Sequence, residues 1–441
     1  MTDKQNSDLI TSAFSRMFKI GTLMGTIGTS MAFDSLKYYW GTDKTREELK
    51  EDNIIRNMYR VADTLGNLKG GVMKIGQMLS LQEGFFPPEA MQILRSLQRE
   101  APAVPFTAIS KQIKNSLKDK YGLIKHVEPA AYASASIGQV HRAQLKDGAE
   151  VVLKVQYPGI DRVITADMKN LKGVMKLIFS MFTSVNMEPI WQEVNQRLHE
   201  ELDYEREASN MEKLSRLQSS NPDIIIPKVW REASSRRVLC MSFEEGISPE
   251  DACSDKYPQE LKNKWAQVIF KMLMEGIFVQ RFLHADPNLS NFSFCEDGRI
   301  IVYDFGCVKE VPLEFARSYA RIGLAVIEKR YDDVPAELEG LGVRRVDGLP
   351  FDTHLIEDYA GVLTEPFHPG QNFAFGQDNN IFDAIRNLGA QYWHDATGIE
   401  FPRDLVFINR TTIGHFGNFN RLKARGPWGD IMVKYVKLAA R

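Results

Sequence analysis

Cysteine is scarce in this sequence, and the few cysteines present form neither a metal-binding nor a disulfide pattern. Only 4 of the 441 residues are cysteine, and they stand at positions 240, 253, 295 and 307. Zinc sites need closely spaced pairs such as C-x-x-C, and disulfide frameworks are typical of short secreted chains. Scattered thiols are typical of a reducing compartment, so the sequence predicts a cytoplasmic protein.

An excess of charge of one sign is also lacking. The sequence holds 55 Lys and Arg against 57 Asp and Glu, which gives a formal net charge of −2. Proteins that bind nucleic acid neutralise its phosphates with a basic excess or a basic patch. The charge balance therefore predicts that nucleic acid is not a partner.

Long hydrophobic runs are missing as well. The most apolar early stretch, residues 20–33, has 14 residues, whereas a helix that spans a bilayer needs about 20 apolar residues. This stretch contains a G-x-x-x-G pattern at Gly21 and Gly25. Residues 1–44 are therefore predicted to form an N-terminal segment that lies at a membrane interface or pairs with a second copy, with a loosely ordered helix as the alternative.

The sequence does have the composition of a large globular protein. Hydrophobic residues make up 44% and charged residues 25% of the chain, and its length suggests two or three domains. Hydrophobic periodicity and turn signals predict an α+β fold. The predicted domains after the N-terminal segment are a helical extension over 45–125, a β-rich lobe with a helical insertion over 126–245, and a mostly helical lobe over 246–441.

The same signals predict individual elements. Apolar runs with turn residues between them predict strands, and an apolar residue at every third or fourth position predicts helices. The predicted strands cover 123–127, 139–145, 150–157 and 237–243, a hairpin covers 292–303, and the predicted helices cover 161–182, 190–217 and 257–282.

Residues 133–140 carry a pattern that resembles a phosphate-binding loop. The segment reads Ala-Ser-Ala-Ser-Ile-Gly-Gln-Val, which matches the kinase template G-x-G-x-x-G-x-V with its first two glycines replaced by alanine. Backbone N–H groups approach phosphates closely only where side chains are small. The alternative is a tight turn whose small residues serve packing. The candidate nucleotide-binding residues of this loop are Ala133, Ser134, Ala135, Ser136, Ile137, Gly138 and Val140.

Lys154 stands at the end of an apolar strand, Val-Val-Leu-Lys. Kinases keep the lysine that holds the α- and β-phosphates at this place. A buried lysine is costly unless it has a partner, so a functional reason is expected. The alternative is an edge-strand lysine whose ammonium group reaches solvent. Lys154 is thus a candidate for catalysis and for nucleotide binding.

A third motif supplies acidic and amide side chains. Residues 284–291 read His-Ala-Asp-Pro-Asn-Leu-Ser-Asn, and Asp304-Phe-Gly follows Asn291 by 13 residues, as in the catalytic loop and metal site of kinases. Asn291 and Asp304 offer the oxygen ligands that Mg²⁺ prefers. Asp286 is suited to accept or orient the proton of an attacking hydroxyl or water. Together the motifs predict a nucleotide-binding kinase-type fold.

With three further motifs, these residues resemble the UbiB/AarF-type atypical kinases, a family linked to ubiquinone biosynthesis. The further motifs are Lys74-Ile-Gly-Gln77 (K-x-G-Q), Lys154-Val-Gln-Tyr-Pro-Gly159, and Glu201-Leu-Asp203 (E-x-D). The resemblance implies a protein-kinase-like two-lobe fold with an N-terminal helical extension, and ATP (or ADP) with Mg²⁺ as cofactors. It also implies that Lys154 pairs with Glu207.

The resemblance further implies a gate made by the extension. Lys74 and Gln77 would reach the active site, and Lys74 would meet the acids Glu201 and Asp203. Residues two apart do not share a face of a regular helix. One lysine could therefore meet both acids only through a local break or from the side. The alternative is a solvated charged face over residues 200–207.

The sequence also departs from ordinary kinases. No Ala-Pro-Glu follows Asp304-Phe-Gly, and residues 312–329 read directly as a helix, so an extended peptide-docking segment is predicted to be missing. The resemblance implies an atypical kinase or ATPase that supports ubiquinone or other isoprenoid-lipid metabolism at a membrane surface. The alternatives are a nucleotide-gated scaffold (a pseudokinase) and a small-molecule kinase.

Expected partners are a nucleotide, a membrane lipid or quinone-biosynthesis complex, and a second copy of the chain. The expected location is the cytoplasm, with peripheral attachment to the inner membrane face as an alternative.

Overall fold

The computed structural model describes residues 104–441, with gaps at 136, 163, 166–171, 173–187, 377–383, 385–387 and 389–398. Lys74, Gln77, Ser136, the predicted segment 1–44, the predicted extension up to residue 103 and most of the predicted helix 161–182 lie outside the described residues. The chain divides into two compact units. Unit 1 comprises the residues up to Arg206 together with Trp230–Ser242, and unit 2 comprises Glu207–Val229 and Phe243–Arg441.

Helices and short strands alternate along the described chain. The helices are α1 (Phe106–Leu117), α2 (Glu188–Glu201), α3 (Tyr204–Leu217), α4 (Pro249–Cys253), α5 (Gln259–Phe278), α6 (Leu313–Ile327), α7 (Val334–Leu341), α8 (Thr353–Leu363), α9 (Arg403–Arg421) and α10 (Trp428–Ala439). The strands are β1 (Ile124–Val127), β2 (Ala133–Ala135), β3 (Gly138–Leu145), β4 (Glu150–Gln156), β5 (Ile224–Ile225), β6 (Val238–Ser242), β7 (Phe282–His284), β8 (Phe292–Phe294), β9 (Ile300–Val302), β10 (Val308–Glu310), β11 (Arg344–Arg345), β12 (Phe373–Ala374), β13 (Ile399–Glu400) and β14 (Arg425–Gly426).

Unit 1 is built on an antiparallel sheet in the order β1-β3-β4-β6, with β2 added to β3. The β3–β4 hairpin turns at Gly148, whose φ of +94° favours glycine. Asp147 supports the turn, because its Oδ1 accepts the N–H of Ala149 over 3.0 Å. Helix α1 contacts β4 and β6 and buries an apolar stripe at i, i+4 and i+8, namely Ile109, Ile113 and Leu117.

The helix predicted over 190–217 is wrong in one respect, because the chain breaks there into two helices. Helix α2 ends at Glu201, and α3 begins at Tyr204. Asp203 starts the second helix as its N-cap, since its Oδ1 accepts the N–H groups of Glu205 and Arg206 over 3.1 and 3.3 Å. The chain passes from unit 1 to unit 2 within α3, between Arg206 and Glu207.

Unit 2 has a buried helix at its centre. Helix α5 contacts α6, α9 and α10, and most of its apolar side chains are buried. One end of this core is a cluster of aromatic rings with centroid separations of 5.1 to 6.1 Å. Its members are Phe270, Phe367, Phe375, Phe419 and Trp428.

Small sheets follow α5 and carry the loops of the candidate site. Strand β7 pairs antiparallel with β10, and β9 pairs antiparallel with β8 and parallel with β5. The helix predicted over 257–282 ends earlier than expected, at Phe278. After the helix ends, Arg281 has a φ of +52° immediately before β7, so the chain changes direction there. The hairpin predicted over 292–303 is present as β8 and β9.

The mixture of a β-rich unit and a mostly helical unit confirms the α+β fold class. None of the helices in the described part of the chain is long and apolar enough to cross a bilayer.

Candidate functional site

The predicted phosphate loop is the β2–β3 hairpin of unit 1. Ala133 pairs with Val140 and Ala135 with Gly138, and Ile137 lies in the turn between the two strands. Ala133 and Ser134 are exposed, and Ala135 is half-buried. The hairpin thus presents small side chains at its outer strand, as close approach to phosphates requires.

Gly138 has a second reason to be glycine. A Cβ atom at this position would lie 2.2 Å from the backbone oxygen of Val155 in the neighbouring strand. The turn is also tied to the end of β4, because the N–H of Tyr157 donates to the backbone oxygen of Ile137 over 2.9 Å. Close packing against β4 therefore explains Gly138, and the packing interpretation of this turn holds for that residue.

Lys154 lies in the interior of the sheet. It pairs with Val140 of β3 on one side and Leu239 of β6 on the other, so the alternative of an edge-strand lysine is wrong. Its side chain is 7% exposed, and Nζ lies 5.3 Å from the ring centroid of Tyr204. Because Ala133 pairs with Val140, the sheet register aligns the loop and the lysine in one row.

The candidate residues with carboxylate or amide side chains, Asp286, Asn291 and Asp304, lie on two loops of unit 2. Strand β7 ends at His284, and the loop that follows carries Asp286 and Asn291. His284 Nε2 donates to the backbone oxygen of Asp304 over 2.6 Å. Asn291 accepts the N–H of Tyr303 on its backbone oxygen over 3.0 Å. The structure therefore brings together the two loops that carry Asp286, Asn291 and Asp304.

Asn291 and Asp304 suit a magnesium ion by their chemistry. Asn291 donates its Nδ2 to the backbone oxygen of Asp286 over 3.4 Å, which leaves the amide oxygen as the atom for coordination. Asp304 is half-buried, and its Oδ1 accepts the N–H of Gly306 over 2.9 Å. Mg²⁺ is usually held by one or two carboxylates together with phosphate oxygens and water. This donor set therefore fits Mg²⁺ that binds with a nucleotide.

Helix α3 holds the backbone of Phe305 from both sides. The Phe305 N–H donates to Glu207 Oε1 over 3.4 Å, and Asn210 Nδ2 donates to the Phe305 oxygen over 2.9 Å. Both Glu207 and Phe305 are buried. Glu207 lies in unit 2 and Lys154 in unit 1, and their pairing stays a prediction. Asn210 carries no motif, so the sequence did not single it out.

The E-x-D residues flank the break between α2 and α3. Glu201 is the last residue of α2, and Asp203 is the N-cap of α3. Asp203 also lies 3.9 Å from Arg236 Nε. The helix break is the local irregularity that one lysine would need in order to meet both Glu201 and Asp203. Capping of α3 gives Asp203 a separate structural role. The proposed gate stays a prediction, because Lys74 and Gln77 lie outside the described residues.

The segment after Asp304-Phe-Gly is short and firmly attached. Strand β10 pairs with β7, and α6 begins at Leu313. Lys309 Nζ lies 2.6 Å from Asp404 Oδ1 of α9, and Lys213 Nζ lies 2.6 Å from Glu310 Oε1. The chain thus passes from Asp304-Phe-Gly through β10 into α6; the helix was predicted, and the strand was not.

Sequence reasoning missed the contribution of α9. Thr411, Gly414 and Asn418 contact the loop that carries Asp286, yet they lie more than a hundred residues away and form no known motif. His415 of the same helix is buried, and burial together with the nearby His284 lowers its pKa to about 3. His415 is therefore neutral at physiological pH and forms part of the packing.

Comparison with known proteins places these features in a family. The model of the ABC1 atypical kinase-like domain matches residues 96–337, which is more than half of the chain. Mitochondrial atypical kinase COQ8B of Danio rerio is 28% identical over 424 residues, which cover 93% of this chain and 66% of the relative. Mitochondrial atypical kinase coq-8 of Caenorhabditis elegans is 30% identical, over 75% of this chain and 45% of the relative.

Further relatives agree with this assignment. Mitochondrial atypical kinase COQ8 of Saccharomyces cerevisiae is 29% identical, over 87% of this chain and 77% of the relative. The solved structure of Rv3197 from Mycobacterium tuberculosis in complex with erythromycin superimposes with a TM-score of 0.64. The superposition covers 90% of this chain and 100% of the Rv3197 chain. The two sequences are 23% identical, so this likeness supports the fold alone.

The chain spans about half to two thirds of the length of the Danio and Caenorhabditis relatives. The match to the domain model nevertheless includes the predicted phosphate loop (residues 133–140), Lys154, the E-x-D residues and the Asp304 motif. The curated relatives are named atypical kinases and confirm the family that the motifs indicated. The chain belongs to the ABC1, or UbiB/AarF-type, family of atypical kinases.

Proposed function

We propose that this chain binds ATP with Mg²⁺ and catalyses phosphoryl transfer or ATP hydrolysis in support of ubiquinone or other isoprenoid-lipid metabolism. The observation that carries the proposal is the bond from His284 Nε2 to the backbone oxygen of Asp304. It joins the loop of the candidate base, Asp286, to the loop of the candidate metal ligand. Phosphoryl transfer depends mainly on such positioning and on charge stabilisation.

Each site residue has a part in this proposal. Bound Mg²⁺ would neutralise phosphate charge, and Asn291 and Asp304 are the residues that would hold it. Asp286 orients the attacking hydroxyl or water and accepts its proton. Lys154 contacts the phosphates, because an ammonium group held in a sheet interior at low exposure is a strong point charge. The small residues 133–135 leave room for the nucleotide.

The acceptor in this proposal is water or a small hydroxyl-bearing molecule rather than a peptide. The segment between Asp304 and α6 is occupied by β10 and by the ion pairs of Lys309 and Glu310. Because only three residues of this segment, Val308–Glu310, form a strand, it offers a peptide no more than a short edge on which to add as a strand. This argument favours ATP hydrolysis or small-molecule phosphorylation over phosphorylation of proteins.

The proposed place of work is a membrane surface, with peripheral attachment and a lipid or a quinone-biosynthesis complex as partner. The support is indirect: the three COQ8-type relatives are named as mitochondrial proteins, and the substrates of quinone synthesis are lipids. A second copy of the chain is a further proposed partner, on the G-x-x-x-G pattern at Gly21 and Gly25.

The test is Mg²⁺-dependent ATP hydrolysis by the purified chain, with and without anionic liposomes, with Asp304→Asn as the control. We expect turnover that liposomes increase and that the variant loses. Tight ATP binding without turnover in either condition would instead support the nucleotide-gated scaffold. Rapid phosphorylation in a screen of hydroxyl and amine acceptors would support a small-molecule kinase. Turnover that survives in Asp304→Asn would contradict the assigned metal ligand.

A further inference from the structure

The loop that carries Asp286 is held by hydrogen bonds on three consecutive backbone oxygens. Asn418 Nδ2 donates to the oxygen of Pro287 over 2.6 Å, and Asn291 Nδ2 donates to that of Asp286 over 3.4 Å. Thr411 Oγ1 lies 3.4 Å from the oxygen of Ala285, and it also donates to its own helix over 3.0 Å. Helix α9 therefore binds the residue that follows Asp286 and lies in contact with the residue that precedes it.

Pro287 also fits closely against the surface of α9. A Cβ atom on Gly414 would lie 2.3 Å from Cγ and 2.8 Å from Cβ of the Pro287 ring. Gly414 and Asn418 are four residues apart and share one face of the helix. Both are placed to act on Pro287, since Gly414 admits the ring and Asn418 binds its carbonyl. Asn418 is buried, so this bond is shielded from competing water.

We propose that Gly414 and Asn418 of α9 are positioning residues for Asp286, which they hold in place through Pro287. The inference rests on the proposed function and adds the residues that set the geometry of the catalytic loop. They lie beyond residue 337, where the match to the family domain model ends. The catalytic geometry of this chain therefore depends on a helix outside the matched domain.

The first test compares one substitution at two glycines of the same helix. Gly414→Ala introduces the Cβ that collides with Pro287, whereas a Cβ at Gly417 meets no atom within 4 Å. Both changes favour the helix, because alanine has the higher helix propensity. We expect Gly414→Ala to lower kcat for ATP hydrolysis about 10- to 100-fold, since displacements of about 1 Å have effects of that size. Gly417→Ala should keep the wild-type kcat.

The second test replaces an amide by a carboxylate at two asparagines of α9. Asn418→Asp removes the N–H that binds Pro287, whereas Asn409 uses its Oδ1 to accept the hydroxyl of Tyr319 over 2.8 Å. Asn409→Asp therefore keeps its bond. We expect Asn418→Asp alone to lower kcat, with an unchanged Kd for ATP, because the nucleotide contacts are not altered.

A third measurement does not depend on turnover. Amide hydrogen exchange of the peptide that covers residues 284–292 should become faster in Gly414→Ala and in Asn418→Asp, and should stay unchanged in the two control variants. If wild-type chain does not hydrolyse ATP, the proposed function fails, but this exchange comparison still decides the role of α9. Wild-type kcat and wild-type exchange in both test variants would overturn the inference.

Discussion

The candidate residues of unit 1 (the first half) and those of unit 2 (the second half) are fixed in different ways. In unit 1, Lys154 and Val140 are cross-strand partners, and their places follow from the backbone register of β3 and β4. In unit 2, Asp286 and Asp304 lie on loops, and separate contacts hold those loops. These contacts are single main-chain bonds, such as that from Tyr303 to Asn291, and side-chain bonds, such as that of His284. The first half is set by a ladder of main-chain bonds, and the second by a few separate contacts.

This difference has a consequence for mutation. A ladder of backbone hydrogen bonds is cooperative, so a change that disturbs it lowers the stability of the whole sheet. A loop held by single side chains can shift while the surrounding core stays folded. We therefore expect substitutions that disturb the β3–β4 ladder to change mainly the free energy of unfolding, and substitutions in the loops of the second half to change mainly activity.

The largest effect is expected for Asp286→Asn in the second half. The amide keeps an oxygen for the N–H of Asn288, which Asp286 Oδ1 accepts over 3.1 Å, but it cannot accept a proton. The loss of a positioned general base lowers rates by about 100- to 10,000-fold. Steady-state ATP hydrolysis should show this fall, while the thermal unfolding temperature should match that of the wild type. A rate near that of the wild type would remove Asp286 from its catalytic role.

A large loss of stability is expected for Gly138→Ala in the first half. The new Cβ would lie 2.2 Å from the backbone oxygen of Val155, and overpacking of this kind costs about 1–3 kcal/mol. Urea unfolding followed by circular dichroism should show a lower midpoint. Gly122→Ala is the matched control, because a Cβ there meets no atom within 4 Å. Equal midpoints for the two variants would contradict the distinction between the halves.

The sequence predicted the first half well, because its signals are local. Asp147 and Gly148 mark a turn between two apolar runs, and the observed strands β3 and β4 begin and end within one residue of the expected bounds. The same holds for the β8–β9 hairpin, where Gly298 has a φ of +92°. Turn chemistry and strand periodicity act over a few neighbouring residues, so they can be recognised in one sequence.

The helix break at Asp203 and the contacts of α9 could not be predicted, because they depend on residues that are distant in the sequence. The break at Asp203 is hidden by an apolar stripe that continues through Leu198, Leu202 and Met211, all of which are buried. Gly414 and Asn418 have low helix propensity, but nothing near them in the sequence shows what they contact, because Pro287 is more than a hundred residues earlier. Periodicity shows which face of a helix is buried but does not show what covers it.

Asp203→Ala tests whether the helix break has a structural cause within unit 1. Loss of an aspartate N-cap costs about 0.5–2 kcal/mol, because the N–H groups of Glu205 and Arg206 lose their acceptor. Asp203→Ser keeps a capping oxygen and should restore most of the stability, as measured by the urea midpoint. If serine and alanine are equally destabilising, the role of Asp203 is electrostatic rather than capping.

The smallest effect is expected for a side-chain contact in the first half, where the backbone ladder is otherwise the main source of order. Lys154 Nζ lies 5.3 Å from the ring centroid of Tyr204, and a cation–π contact is worth about 0.5–1 kcal/mol. Tyr204→Leu should therefore weaken ATP binding by about two- to fivefold, because the ammonium group loses the contact that helps hold it in place. Tyr204→Phe keeps the ring and should keep the affinity. Isothermal titration of the three proteins with ATP measures the difference. Equal affinities for the leucine and phenylalanine variants would mean that the ring of Tyr204 does not position Lys154.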